Sequence, residues 1–434
     1  MEKINLFWFR RDLRLFDNHG LYESLRENKT VLPIFIFDPS ILENLQDLKD
    51  PRVSFIYQEL EKINHQLQLI GSSILVLHKK PLEAFQFLIQ KFSIENVYTN
   101  HDYEGYAIQR DSQIKEFLSQ NGIGFKSFKD QVIFEKKEIL SGQNTPYTVF
   151  TPYSRKWKEV LNQNPIINYP SENYSNFYQE NFPFPKLESI GFNYSDISIP
   201  TNSLDLDLVR NYENTRDIPS INGTTRLSVH LRFGTVSIRK LVQSVMPVSE
   251  KYLNELIWRD FYFNITYNFP HINQGHSFRK EYDFIQWDNN EILFEAWKNG
   301  QTGFPIIDAG MRELNTTGHM HNRVRMIVSS FLIKDLLIDW RWGEAYFAEK
   351  LLDYEFSSNN GGWQWAAGSG CDAAPYFRVF NPSLQTQKFD PDLKYIKKWV
   401  PEFQEFTYPR PIVDHDIAKK RVVERYKEGL AKAQ

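Results

Sequence analysis

Residues 4–37 read INLFWFRRDLRLFDNHGLYESLRENKTVLPIFIF. Two apolar and aromatic runs, INLFWF and VLPIFIF, flank a polar stretch that has helical character from Gly20 to Glu27. Strands apolar on both faces belong to parallel sheets, because the crossover helices that join parallel strands cover both sides. The rhythm continues with a helix from Pro51 to Leu69, the run SILVL, another helix, and NVYTN. It predicts an N-terminal α/β, Rossmann-like layer built on a parallel sheet. No G-x-G-x-x-G follows the first run, so the dinucleotide fingerprint is missing.

Working outward, residues 162–203 shift to Asn, Tyr, Pro and Ser with little periodicity, the mark of a connector. Beyond Leu204 apolar residues recur at three and four, as in KYLNELIWRDFYFNITYNF and NRVRMIVSSFLIKDLLIDW. The expected division is an α/β domain over 1–135, a connector over 136–203 and an all-α domain over 204–434. A chain of 434 residues exceeds the size at which one core stops growing, which agrees with two domains.

Fifty-one basic against 54 acidic residues give a formal charge of −3, so a nucleic-acid site would have to be a local basic patch. One cysteine excludes a disulfide framework and a thiolate-rich metal site, and Cys371 reads as a small packing residue in a reducing compartment. The first 18 residues lack a signal-peptide apolar region, and the most apolar helical stretch, Met326 to Ile338, is broken by Lys334 and Asp335. These features predict a soluble, cytoplasmic protein without a membrane span. No heptad calls for a partner, so a monomer is expected.

The densest chemistry lies in NNGGWQWAAGSGCDAAPYFRVFNP, Asn359 to Pro382. Gly361 and Gly362 let a backbone press on a flat ligand, and Trp363 and Trp365 supply large rings. A buried aromatic corner would use the same residues. In GTTRLS, Gly223 to Ser228, a glycine, three hydroxyls and Arg226 suit a phosphate, or equally a helix cap. Tyr212 and Arg216 lie just upstream.

In HMHNRVRM, Asn322, Arg325 and Met326 share a helical face and Arg323 points elsewhere. A buried arginine there needs Asp353 or Glu355 as partner. His319 and His321 lack the spacing of a helical zinc site, and no metal is expected. In LNELIWRDFY, Glu255 and Trp258 share a face and Arg259 stands one turn from Glu255. This is a surface ion pair beside a core indole, or a site for phosphate contact, stacking and hydrogen bonding.

FWFRRDLRLFDN, GTTRLS, NELIWRDFY, TGHMHNRVRM, KDLLIDWR, the Asn359–Pro382 block and NPSLQTQKFDPDLKYIKKWVPE occur in an order that resembles the photolyase and cryptochrome family. The likeness is greatest to bacterial class I cyclobutane pyrimidine dimer photolyases and covers nearly the whole chain. It implies an α/β antenna domain, a helical domain holding FAD, and UV-damaged DNA as partner. The activity implied is light-driven repair of DNA by a carbon–carbon lyase: photoexcited FADH⁻ passes an electron to a flipped-out pyrimidine dimer, which splits. A cryptochrome-type blue-light sensor, with FAD but without repair, is the alternative.

By match to family motifs, Tyr212, Thr224, Thr225, Arg226, Leu227, Ser228 and Tyr252 would hold the cofactor's phosphates and chain. Arg325, Asp353, Glu355 and Asn359 would line the flavin ring, Asn359 facing N5. Glu355 replaces the family's usual Asp, and Tyr252 stands where some relatives have Trp. Trp363, Trp340 and Trp287 fall at the electron-transfer triad. Arg216, Glu255, Trp258, Arg259, Asn322, Arg323, Met326, Trp365 and Gln385 would meet the lesion and its strand, with Glu255 and Asn359 as the catalytic pair. For a second, antenna chromophore, Tyr106, Ala107 and Gln274 depart from the folate-binding pattern. A deazaflavin, a second flavin or no antenna stay open.

Overall fold

A computed structural model describes residues 2–27, 29–172 and 174–433. The chain divides into two compact units. One comprises Met1–Glu135, Val160–Ser203 and Arg226–Ser244, the other Lys136–Glu159, Leu204–Thr225 and Val245–Gln434.

The first unit is the expected α/β layer. Its strands are β1 (Ile4–Phe9), β2 (Val31–Phe37), β3 (Leu75–His78), β4 (Ile94–Asn100) and β5 (Gly124–Phe128). They pair in parallel, in the order β3-β2-β1-β4-β5. Growth outward from β1 in both directions is the doubly wound arrangement. Every residue of β1 and β2 is buried, which is why both runs are apolar throughout and do not alternate. β5 was not anticipated: GFKSF is a half-exposed edge strand with a glycine, a lysine and a serine, and it carries little hydrophobic signal.

The charged run after β1 is spent inside this unit. Arg14 pairs with Asp130 at 2.8 Å, and Arg239 with Asp130 at 2.7 Å and Asp17 at 3.0 Å. All four side chains are buried, and buried charge survives only when paired in this way. Further along, Arg226 adopts a left-handed backbone (φ 52°). Leu227 precedes the short helix Ser228–Phe233 and makes no side-chain cap bond.

The second unit is helical, as the periodicity requires. Ser249, His321, Asp339 and Asn381 cap the helices that begin at Glu250, Asn322, Trp340 and Pro382, each accepting from a first-turn N–H. The core packs Trp297, Met311, Val324, Phe331, Leu332, Trp340, Phe347 and Trp363 into one cluster. The single helix expected over Met326–Ile338 is not continuous. Asn322–Ser330 is α-helical, Phe331–Asp335 is a π turn, and Leu337 turns left-handed at φ 53°. The widened turn buries Lys334 and Asp335, with the Lys334 ammonium donating to the Ala367 and Tyr376 carbonyls at 3.2 and 3.1 Å. Among the described residues no helix is long and apolar enough to cross a membrane.

Candidate active site

Helix Phe356–Ala367 is the centre of the site. It packs against helices Glu250–Asn268, Asn322–Ser330 and Trp340–Lys350. Two glycine contacts fix its seat: a Cβ on Gly361 would lie 2.3 Å from the Tyr262 ring, and one on Gly343 would lie 2.1 Å from the Trp363 indole. Only glycine allows either approach. Gly362 differs, since a Cβ there would meet nothing within 4 Å.

Asn359 lies one turn before Gly362 on this helix. Its amide nitrogen donates to the Glu344 carbonyl at 3.1 Å and to Glu344 Oε1 at 2.9 Å. That orientation commits the nitrogen and presents the amide oxygen as the acceptor. On the adjoining helix, Arg325 donates to the Met320 carbonyl (2.8 Å) and to both Asp353 oxygens (2.9 and 3.1 Å). Glu355 instead faces Arg259 at 3.8 Å, in a pair whose side chains are 6% and 12% exposed. Of the two carboxylates offered as partners for Arg325, Asp353 takes the role.

Helix Glu250–Asn268 presents Glu255, Trp258, Arg259 and Tyr262 as a half-buried stripe at helical spacing. Phe150 stacks on Trp258 with centroids 3.7 Å apart and planes 3° from parallel. The Phe150 backbone N–H donates to Asp372 at 3.2 Å, which anchors the main chain that carries the ring. Glu255 accepts from Arg216, whose guanidinium lies 5.3 Å from the Tyr212 ring centre. Tyr212 meets Tyr252 edge-on at 5.0 Å, and the Tyr252 hydroxyl bonds Thr225 at 2.7 Å. Burial and the Glu255 charge raise the Tyr212 phenol, so it stays protonated at neutral pH. Burial lowers the Arg216 guanidinium, but Glu255, Tyr212 and Asp217 outweigh it and the net shift is upward.

The structure brings Arg323 and Met326 together, where the sequence pattern alone assigns Arg323 to another face. They stand three apart, and Arg323 Nη1 lies 3.6 Å from the Met326 sulfur. The same guanidinium covers the Phe389 ring at 4.3 Å and donates twice to Asp217, at 2.8 and 3.2 Å. Gln385 is half-buried one turn before Phe389, and Asn322 is exposed at the head of its helix. Asp217, Phe150 and Glu344 are the site residues that sequence reasoning missed.

Trp363 and Trp340 are each 2% exposed in the common core, and Trp287 packs against it half-buried. The ring neighbours of Trp363 are Phe347 (5.0 Å) and Trp297 (6.2 Å), while Trp287 meets Tyr426 edge-on at 5.9 Å. Trp365 is half-buried. His321 caps its helix and His319 faces Glu313 at 3.7 Å. Among the described residues no group of three or more His, Cys, Asp or Glu could hold a metal ion. Burial pushes the Cys371 thiol up to about 12, so it packs as a neutral group.

Two family models match the chain: "DNA photolyase" over residues 5–171 and "FAD binding domain of DNA photolyase" over residues 252–407. A deoxyribodipyrimidine photo-lyase of Halobacterium salinarum is 34% identical, covering 98% of this chain and 99% of the relative. The chain belongs to the DNA photolyase family. A Sulfolobus tokodaii photolyase crystallised with two FAD molecules is 37% identical, with a TM-score of 0.85 over 98% of this chain and 99% of that one. A Synechocystis cryptochrome shares the fold at 25% identity and TM-score 0.83, covering 98% and 99%.

The photolyase-family cofactor is FAD, and the second unit carries a donor set that fits it. The exposed Gly362 face leaves room for a flat ring, the Asn359 oxygen stands one turn away as an acceptor, and the Arg325–Asp353 pair offers charge of both signs.

Proposed function

We propose that this photolyase-family chain repairs UV-damaged DNA by splitting cyclobutane pyrimidine dimers in the light. The observation that carries the reading is the stripe on helix Glu250–Asn268. There a backed indole, Trp258, stands one helical turn from a carboxylate, Glu255, already held by an arginine.

Photolyases extrude their target from the duplex, and a damaged base costs least to extrude. Trp258 and Trp365 would stack on the flipped dimer, each base–aromatic contact worth about 1–3 kcal/mol. Met326, Asn322 and Gln385 would close round it, Arg216 would steady Glu255 from behind, and Arg323 would hold the flanking phosphate. Glu255 would accept a hydrogen bond from the dimer and so fix its orientation in the site.

Tyr212, Thr224, Thr225 and Tyr252, with Arg226, Leu227 and Ser228 next in sequence, would hold the cofactor's phosphates and chain. Arg325, Asp353 and Asn359 would line its ring, with Glu355 supporting through Arg259. Bound FAD in its reduced form would supply the light-released electron that opens the cyclobutane ring, and would take it back once the two bonds have broken. The Asn359 oxygen, oriented through Glu344, would accept a ring N–H and so hold a proton at that position. Trp363, Trp340 and Trp287 would return the cofactor to its reduced state by passing electrons inward from the surface, with an external reductant refilling the outermost indole. We read the protein as a monomer acting on DNA in the bacterial cytoplasm.

The test is loss of thymine dimers from a UV-irradiated oligonucleotide under blue light with photoreduced protein, against a dark control. Repair confined to the light is expected. A bound, photoreducible flavin with no dimer loss would overturn repair and favour the sensor reading that the cryptochrome likeness suggests.

A further inference from the structure

Four charged side chains of the second unit alternate in sign: Glu255, Arg216, Asp217 and Arg323. Glu255 is committed to Arg216, yet repair needs this carboxylate at the dimer. Leaving would strand Arg216, whose side chain is only 16% exposed, and a buried charge that loses its partner is costly. Asp217 is placed to prevent that. Its Oδ1 sits 4.0 Å from Arg216 Nε while it holds both donors of Arg323, and its carboxylate is 43% exposed and adjustable.

We propose that Asp217 is the exchange counter-ion of the lesion site, taking over Arg216 when Glu255 turns to the dimer. This rests on the repair reading above. Undamaged duplex gives Glu255 nothing to turn to, so the exchange operates only on damage. Asp217 thereby widens the difference in affinity between damaged and undamaged DNA. Its negative charge beside two arginines also opposes binding through phosphates alone.

The test is dark binding of FAD-loaded protein to two duplexes of one sequence, with and without a central thymine dimer, at several salt concentrations. Asp217→Asn keeps the shape and the acceptor oxygen and removes the charge. It should weaken damaged-duplex binding, leave undamaged binding equal or tighter, and lower the ratio of the two affinities on the order of tenfold. In a Glu255→Gln background no carboxylate has to leave, so the same substitution should change the ratio less than about twofold.

Equal weakening on both duplexes would make Asp217 merely structural and overturn the proposal. So would an undiminished effect in the Glu255→Gln background. Wild-type protein with no preference for the dimer would sink the repair reading itself, a result separable from either.

Discussion

The indole of Trp258 lies flat on the ring of Phe150, with centroids 3.7 Å apart and planes within 3°. One face of the tryptophan is therefore covered inside the protein, and under the proposed function a base would stack on the other.

Removing the backing ring tests this arrangement. An aromatic pair is worth about 0.5–1.5 kcal/mol beyond its buried area. Phe150→Ala should weaken dimer-DNA binding by about 2- to 10-fold, read by fluorescence anisotropy, with FAD content unchanged. The quantum yield for dimers already bound should stay near wild type.

Glu255→Gln should act the other way round. The amide can still accept a hydrogen bond, but a weaker one than the charged carboxylate gives, and it loosens the hold on Arg216. Quantum yield should fall more than affinity. An unchanged yield with intact binding removes Glu255 from the chemistry.

Two glycines predict opposite outcomes. At Gly343 a methyl group would sit 2.1 Å from Trp363, and overpacking of this kind costs about 1–3 kcal/mol, so Gly343→Ala should lower the melting temperature. At Gly362 a methyl group meets nothing, and alanine in a helix gains about 0.5–1 kcal/mol over glycine. Gly362→Ala should hold or raise the stability of the cofactor-free protein and lower its flavin content, measured by the ratio of flavin to protein absorbance.

Acid should loosen the helix that begins at Asn322. His321 Nδ1 accepts from the Arg323 N–H at 3.1 Å, which requires a neutral ring. Burial is the main cause that lowers the His321 pKa to about 4, with Glu313 and Asp217 opposing and His319 and Arg325 adding to the fall. The folded state thus resists a proton that the unfolded chain accepts near pH 6.5. The contribution to stability is fully present above pH 6.5 and is lost as pH falls towards 4, about 3 kcal/mol in all. His321→Asn, a capping residue that does not titrate, should flatten that part of a melting-temperature profile.

Much of the fold is legible in the sequence because β1 and β2 are buried on both faces and their apolar runs are unbroken. β5 escapes, since an edge strand needs no such run. The stripe Glu255, Trp258, Arg259 and Tyr262 follows from helical spacing alone. Its partners do not: Phe150 and Trp258 are distant in sequence, and no local pattern predicts their stacking. Arg323 shares its i, i+3 edge with Met326, which grouping Asn322, Arg325 and Met326 alone overlooks, while its reach to Phe389 and Asp217 depends on tertiary packing that no local pattern shows. The break after Ser330 was hidden because an α turn and a π turn bury the same apolar residues.

Helix Phe356–Ala367 is seated like a key, with Tyr262 filling the notch at Gly361 and Trp363 filling the notch at Gly343. It carries Asn359, Trp363 and Trp365, so it cannot slip or rotate without displacing all three together. Efforts to retune this protein's colour or lesion preference therefore have a built-in datum. Side chains around the helix are open to exchange, whereas the two notches set the alignment from which every other distance in the site is measured.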